Sequence, residues 1–226
     1  MGLIISYYLK PTSLQVLEDY MTSSTHSIDC VRYNDVTDEN LISDHYKLYI
    51  YVHNAENAND ANFDLKNMYE ESSKKHNANV DSYLNYNVLN AEGVNCYDSG
   101  FDLFCPENIE WQNNISNYML DHNISCSMKY EGKFVGYYFY MRSSTPVRTP
   151  LRLANNVGII DSGYRGNLKA YFDINGSNFN FVKGHRYMQI CPPNIGKPVK
   201  VIIVDTMSEL GENNVRNKGG YGSTGN

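Results

Sequence analysis

The chain has 226 residues, 19% of them charged and 42% apolar, enough to build one sizeable core. Its formal charge of −6 argues against duplex nucleic acid as the main partner, because phosphate backbones call for a broad basic surface. Five cysteines without a C-x-x-C pair or an apolar leader point to an intracellular, reducing compartment, and no apolar run approaches the length of a membrane span.

In chain order, "PTSLQVLEDYMTSS" (11–24) predicts a short helix, with Leu14, Leu17 and Tyr20 at helical spacing. "KLYIYV" (47–52) predicts a strand from its aromatic and β-branched content. A polar loop, "NAENANDAN", then leads into a predicted amphipathic helix over 63–77, whose Lys74, Lys75 and His76 suit a helix C-terminus. From about Tyr83 short apolar or alternating runs recur between turn signals: "YNVL", "FDLFC", "ISCSMKY", "FVGYYFYM", "VGIID", "LKAYFDI", "FNFVKG", "YMQICP" and "VKVIIV". That pattern predicts an all-β sandwich or barrel rather than a βαβ array. The chain divides into an N-terminal extension (1–46), a β domain (47–211) with a helical insert at about 55–82, and a glycine-rich tail (212–226).

Four stretches of the β body offer chemistry. In "NNVGIIDSGYRGNL" (155–168) two isoleucines are expected to drive a strand into the core. Asp161 follows at its end, beside a glycine turn, where a carboxylate is held rigidly and can face a cavity as a general base. An ordinary turn aspartate is the competing reading. "YMRSSTP" offers the guanidinium of Arg142 and the hydroxyls of Ser143 and Ser144 to phosphate oxygens, or is simply a polar loop. "DSGFDLFCP" places Asp102 inside an apolar strand, for a metal-bound water or for a salt bridge to an arginine. "VKGHRYMQICPP" places Gln189 on a strand, as an oxyanion donor or a satisfied core amide. The tail "VRNKGGYGSTGN" gathers Arg216, Tyr221, Gly222, Ser223 and Thr224 within a stretch that glycine would leave open. A Walker loop, a dinucleotide fingerprint, a Gly-x-Ser-x-Gly elbow and a His-Glu-x-x-His helix are all absent.

Taken in order, Asp98–Leu103, Arg142–Ser144, Asn155–Gly166, Gly184–Gln189 and Arg216–Gly225 resemble the five motifs of the trimeric dUTPase family, over about residues 83–225. "TPLRLANNVGIIDSGYRGNL" resembles versions carried by large DNA viruses, for which the compartment would be the host cytoplasm. The resemblance implies a dUTPase-like β-barrel or jelly roll, a homotrimer with sites shared between subunits, and hydrolysis of dUTP to dUMP and pyrophosphate with Mg2+. It implies Asp161 as the base that activates water for attack on the α-phosphorus, and Tyr164 packed on the deoxyribose. Asn155 and the hairpin backbone around Gly158 would read the uracil edge, and Arg142, Ser143, Ser144 and Gln189 would contact phosphates. Asp102 would hold waters of the Mg2+. The tail would close as a lid, with Tyr221 on the base, Arg216 on the γ-phosphate, and Gly222 and Ser223 beside the nucleotide. A catalytically inactive nucleotide-binding or regulatory protein on the same scaffold is the alternative. A dCTP deaminase would need a glutamate that "NLKAYFDING" lacks. His185 stands where the family usually has an aspartate after Gly184, a place from which an acid would steady an arginine, and Met141 stands where a proline is common.

Overall fold

The computed structural model describes residues 44–53, 64–89, 96–111, 117–175 and 178–211. The predicted helix over 11–24 and the tail residues Arg216, Tyr221, Gly222 and Ser223 lie outside them.

The first described strand, β1 (Tyr46–Val52), shows why the body folds as sheets. Tyr46, Leu48, Ile50 and Val52 alternate inward and are buried, while the residues between them turn outward. β9 (Asn167–Ile174) repeats the device with Leu168, Ala170 and Phe172. The other strands are β2 (Phe101–Phe104), β3 (Ile109–Trp111), β4 (Asn117–Tyr130), β5 (Lys133–Val135), β6 (Tyr137–Met141), β7 (Leu151–Leu153), β8 (Gly158–Ile160), β10 (Phe179–Phe181), β11 (Arg186–Cys191) and β12 (Val199–Val204). They form a large sheet in the order β12-β1-β4-β9-β7 with β5 on β4, a four-stranded sheet β2-β11-β6-β8, and a small β10-β3 pair. β1 and β12 run parallel; the other pairs are antiparallel.

Both main sheets supply one core. Leu48, Ile50, Ile124, Met128 and Phe172 from the large sheet join Phe101, Leu103, Phe139, Met188 and Ile190 from the smaller. From β6 onward the chain alternates between them (β6 small, β7 large, β8 small, β9 large), and β11 and β12 repeat the switch. Alternation of this kind is how a jelly roll closes a double sheet. The all-β expectation therefore holds for the body.

The helix departs from its prediction. Helix α1 (Leu65–Leu89) has 25 residues, so Lys74, Lys75 and His76 lie mid-helix and the "YNVL" read as a strand is its last turn. Leu65, Tyr69, His76 and Val80 are buried at roughly helical intervals, and tertiary contact along that stripe carries the helix past the basic residues. The contact is with β12, the edge of the large sheet. Asn77 Nδ2 donates to the Val201 carbonyl at 2.8 Å, and its Oδ1 accepts the Val201 N–H at 2.8 Å. His76 Nε2 donates to the Val199 carbonyl at 2.8 Å. Ion pairs Lys66–Asp205 and Asp81–Lys200 flank this seam. An open strand edge invites pairing with other chains; here a helix covers it. Among the described residues no helix is long and apolar enough to cross a membrane.

Candidate functional site

The strand β2 is fixed at Phe104 by two buried side chains. Tyr69 of α1 accepts the Phe104 N–H at 3.0 Å, and His122 Nδ1 of β4 donates to the Phe104 carbonyl at 3.1 Å. His122 is fully buried, its Nε2 has no hydrogen-bond partner among the described residues, and burial holds its pKa down at about 4, so the ring is neutral. Both backbone groups of Phe104 are thus satisfied where the strand ends, which sets the position of Asp102 two residues earlier.

Asp102 is the centre of an ion triad. Arg142 Nε donates to its Oδ1 at 2.7 Å, and Arg186 Nη1 lies 3.2 Å from its Oδ2. Of the two sequence readings of Asp102, the salt bridge is the one present, and with two arginines rather than one. This also answers the departure at His185. His185 is exposed beside the site, and the acid that steadies Arg142 is Asp102. Arg142 is positioned by its own backbone, whose N–H donates to the Tyr187 carbonyl at 3.0 Å; Thr145 Oγ1 donates to the same carbonyl at 2.8 Å. Gln189 faces Asp102 across the β2–β11 ladder and Tyr140 across the β11–β6 ladder. Its Nε2 donates to the Met141 carbonyl at 3.2 Å. Met141 also uses its sulfur, which accepts the Leu153 N–H. A side chain at Gly100 would displace the Gln189 amide, whose Oε1 lies 2.5 Å from an added Cβ, and would crowd Cys191 Sγ and the Ile190 carbonyl.

These groups line one cleft of about 610 Å³. Asp102, Arg142, Ser143 and Gln189, all singled out from sequence, share it. Ser144 does not; its carbonyl instead starts the one-turn helix α2 (Thr145–Arg148), accepting the Arg148 N–H. Sequence reasoning missed Arg186, and it missed Ser72, Lys75 and Asn79, which reach the cleft from α1. Arg186 falls between the predicted runs "FNFVKG" and "YMQICP", where an arginine carries no local signal, and in the structure it opens β11. The α1 residues lay in a segment read as an insert.

The second cluster is elsewhere. The turn between β7 and β8 is tight: Asn156 N–H donates to the Leu153 carbonyl, Val157 N–H donates to the Asn155 carbonyl, and Asn156 has a φ of 59°. Its flanking strands do not pair with each other, since β7 lies on β9 and β8 on β6. The expected narrow hairpin is instead a corner joining the two sheets. Asn155 is exposed and Gly158 is buried opposite Phe139. Ile159, expected in the core, points outward with 72% of its surface exposed. Asp161 is exposed, one residue past β8. Tyr164 donates its hydroxyl to the Asn167 carbonyl at 2.9 Å and lies against Gly166, where an added Cβ would meet its oxygen at 2.5 Å.

Arg165 is the residue of this turn that sequence reasoning left without a role. It is 2% exposed and donates to the carbonyls of Ser162, Tyr164 and Leu210, with its guanidinium over the Phe134 ring. It thereby ties the Asp161 turn to the last described residues of the chain. Phe134 leaves no room for a side chain at Gly211, whose φ is 89°.

The register separates the two clusters. Asp102, Gln189 and Tyr140 form one cross-strand row, while Ile160 pairs with Tyr137. Asp161 is therefore about 13 Å along the strands and about 10 Å across them from Gln189, beyond side-chain reach. Among the described residues no group of three His, Cys, Asp or Glu is placed to hold a metal directly.

No family model matches the chain. A deoxyuridine 5'-triphosphate nucleotidohydrolase of Clostridioides difficile is 38% identical over 84 residues, 37% of this chain and 56% of that protein. One of Desulfitobacterium hafniense is 38% identical over 94 residues, 40% of this chain and 58% of that protein. The chain resembles the dUTPase family. It spans a little over half the length of the curated dUTPases it matches. Among solved structures, the dUTPase from Streptococcus mutans gives a TM-score of 0.38 at 21% identity, covering 49% of this chain and 84% of that one.

Proposed function

We propose that the protein is a dUTP diphosphatase, hydrolysing dUTP to dUMP and pyrophosphate. The observation that carries the reading is the cleft in which Arg142, Arg186, Ser143 and Gln189 converge, a polyanion site in a chain of net negative charge that resembles dUTPases in sequence.

In this reading the carboxylate of Asp161 takes a proton from water as the water oxygen bonds to the α-phosphorus. The bond from that phosphorus to the bridging oxygen of the β-phosphate breaks, and pyrophosphate leaves with the bonding pair. Arg142 and Arg186, pre-aimed by Asp102, hold the charge that develops on the leaving group without reorganising. Tyr164, fixed by Asn167 and Gly166, presents a rigid ring to the sugar. The residues fit Mg2+ as outer-shell partners: Asp98 and Asp102 line the same cleft, and each oxygen of Asp102 keeps a lone pair for a metal-bound water. Bound there with the triphosphate, the ion would neutralise phosphate charge.

The separation of Asp161 from the cleft supports a shared site. With more than 10 Å between them in one chain, the base and the phosphate grip meet on one nucleotide when they come from different copies, as in a homotrimer. Pyrophosphate release from dUTP with Mg2+, with dCTP, dTTP and UTP alongside, tests the reaction. Release from dUTP alone is expected, and no release from any of the four would overturn it. For the shared site, Asp161→Asn and Arg142→Ala chains are refolded together. Recovery of activity that neither variant shows alone is expected, and a mixture as inactive as its components rules sharing out.

A further inference from the structure

Helix α1 belongs to the segment that sequence reading set aside as an insert, yet it forms a wall of the cleft. Ser72, Lys75 and Asn79, three and four residues apart, share a helix face, and all three line the space that also holds Arg142, Arg186 and Gln189. The helix cannot swing freely, because Asn77 and His76 tie it to β12 and Tyr69 ties it to β2. Lys75 is exposed and has no ion-pair partner among the described residues.

Charge makes this wall consequential. The charged residues of the cleft are Arg142, Arg186, Lys75, Asp98 and Asp102. The two arginines balance the two aspartates, and Lys75 is the charge that tips the cleft positive. An ammonium on a flexible stem, held on a fixed helix in the same cleft as two guanidiniums, suits a mobile polyanion better than a structural ion pair.

We propose that Lys75 is a substrate-binding residue, gripping the β- and γ-phosphates from the helix wall of the cleft that Arg142 and Arg186 also line, with Ser72 and Asn79 as neutral donors beside it. The insert helix is then part of the site, and it sets affinity for the phosphate chain rather than the choice of base. This rests on reading the cleft as the phosphate subsite, so inorganic pyrophosphate is the probe, alongside turnover.

The chain is compared with Lys75→Gln, Lys75→Arg and Lys74→Gln; Lys74, the exposed neighbour, does not line the cleft. Calorimetric titration of Lys75→Gln with pyrophosphate should show about fivefold weaker binding, as for loss of one partly solvated charge contact. KM for dUTP should rise to a similar extent with kcat within about twofold, because the contact is made in ground and transition states alike. Lys75→Arg should recover most of the affinity, and Lys74→Gln should match the wild type. Wild-type affinity for pyrophosphate in Lys75→Gln overturns the proposal, as does an equal loss in Lys74→Gln, which would mean only the general field acts. A wild-type chain that fails to bind pyrophosphate overturns it too. Pyrophosphate binding that depends on Lys75 without dUTP cleavage would keep this inference and sink the reaction. Cleavage with Lys75→Gln unchanged would do the reverse.

Discussion

Asp102 and Asp161 both stand on the four-stranded sheet, one inside its edge strand β2 and the other just past β8 at the opposite edge. Asp102 is held by side chains brought from far along the chain: Arg142 and Arg186 on its oxygens, with Tyr69 and His122 fixing Phe104 beside it. Asp161 sits on a turn braced by near neighbours, the Tyr164 N–H on its carbonyl and Arg165 on the carbonyls of Ser162 and Tyr164. The cleft is therefore a network of side chains that depends on burial and charge, whereas the turn is braced through backbone carbonyls, with Arg165 reaching on to Leu210. Grip and base are built independently, so their failures should differ in kind.

The sharpest way to break that contrast is Asp161→Asn. Turnover of dUTP should fall by roughly 10²–10⁴, while the melting temperature stays within about 2 °C of wild type, since an exposed, isosteric change costs little stability. Near-normal turnover would remove Asp161 from the chemistry, and a large drop in melting temperature would show the turn to be less self-sufficient than described.

The next effect is confined to the cleft half. Burial lowers the His122 pKa from 6.5 in the unfolded chain to about 4 in the folded one. The native state thus binds fewer protons than the unfolded state between those values. Stability from keeping this ring neutral is complete above pH 6.5 and is lost as pH falls toward 4, by about 3 kcal/mol over the window. Urea unfolding at pH 7 and pH 4.5 measures it. His122→Asn, which keeps an N–H donor, should be less stable at pH 7 but lose less on acidification. An identical acid loss in the variant would place the pH dependence elsewhere.

Smaller effects follow from single contacts. Asp102→Asn leaves two guanidiniums sharing a neutral amide. It should cost about 1–2 kcal/mol and raise KM for dUTP, with the Asp161 turn unchanged by amide hydrogen exchange. Exchange that speeds up around 161–166 would join the two halves that the structure keeps apart. Asn77→Ala removes both side-chain bonds to Val201 and should cost about 1–2 kcal/mol by chemical denaturation, loosening α1 and so the Lys75 wall of the cleft. No measurable loss would mean the seam is held by the Asp81–Lys200 and Lys66–Asp205 pairs instead.

What the sequence determined by itself was whatever a contiguous stretch can encode. The aromatic and β-branched content of "KLYIYV" and the short apolar or alternating run "LKAYFDI" specified strands, and the structure buries alternate residues of both on one face. Asp161, Tyr164 and Gly166 were legible as a turn because their spacing is their geometry. The extent of α1, the sheet switch between β7 and β8, and the pairing of Asp102 with arginines 40 and 84 positions later were decided only in three dimensions. A short apolar run such as "YNVL" suits helix or strand equally, and docking of α1 on β12 chose between them. Likewise an arginine has no local mark of its partner: which carboxylate it meets is set by strand register, and register is fixed by the burial of the whole sheet face.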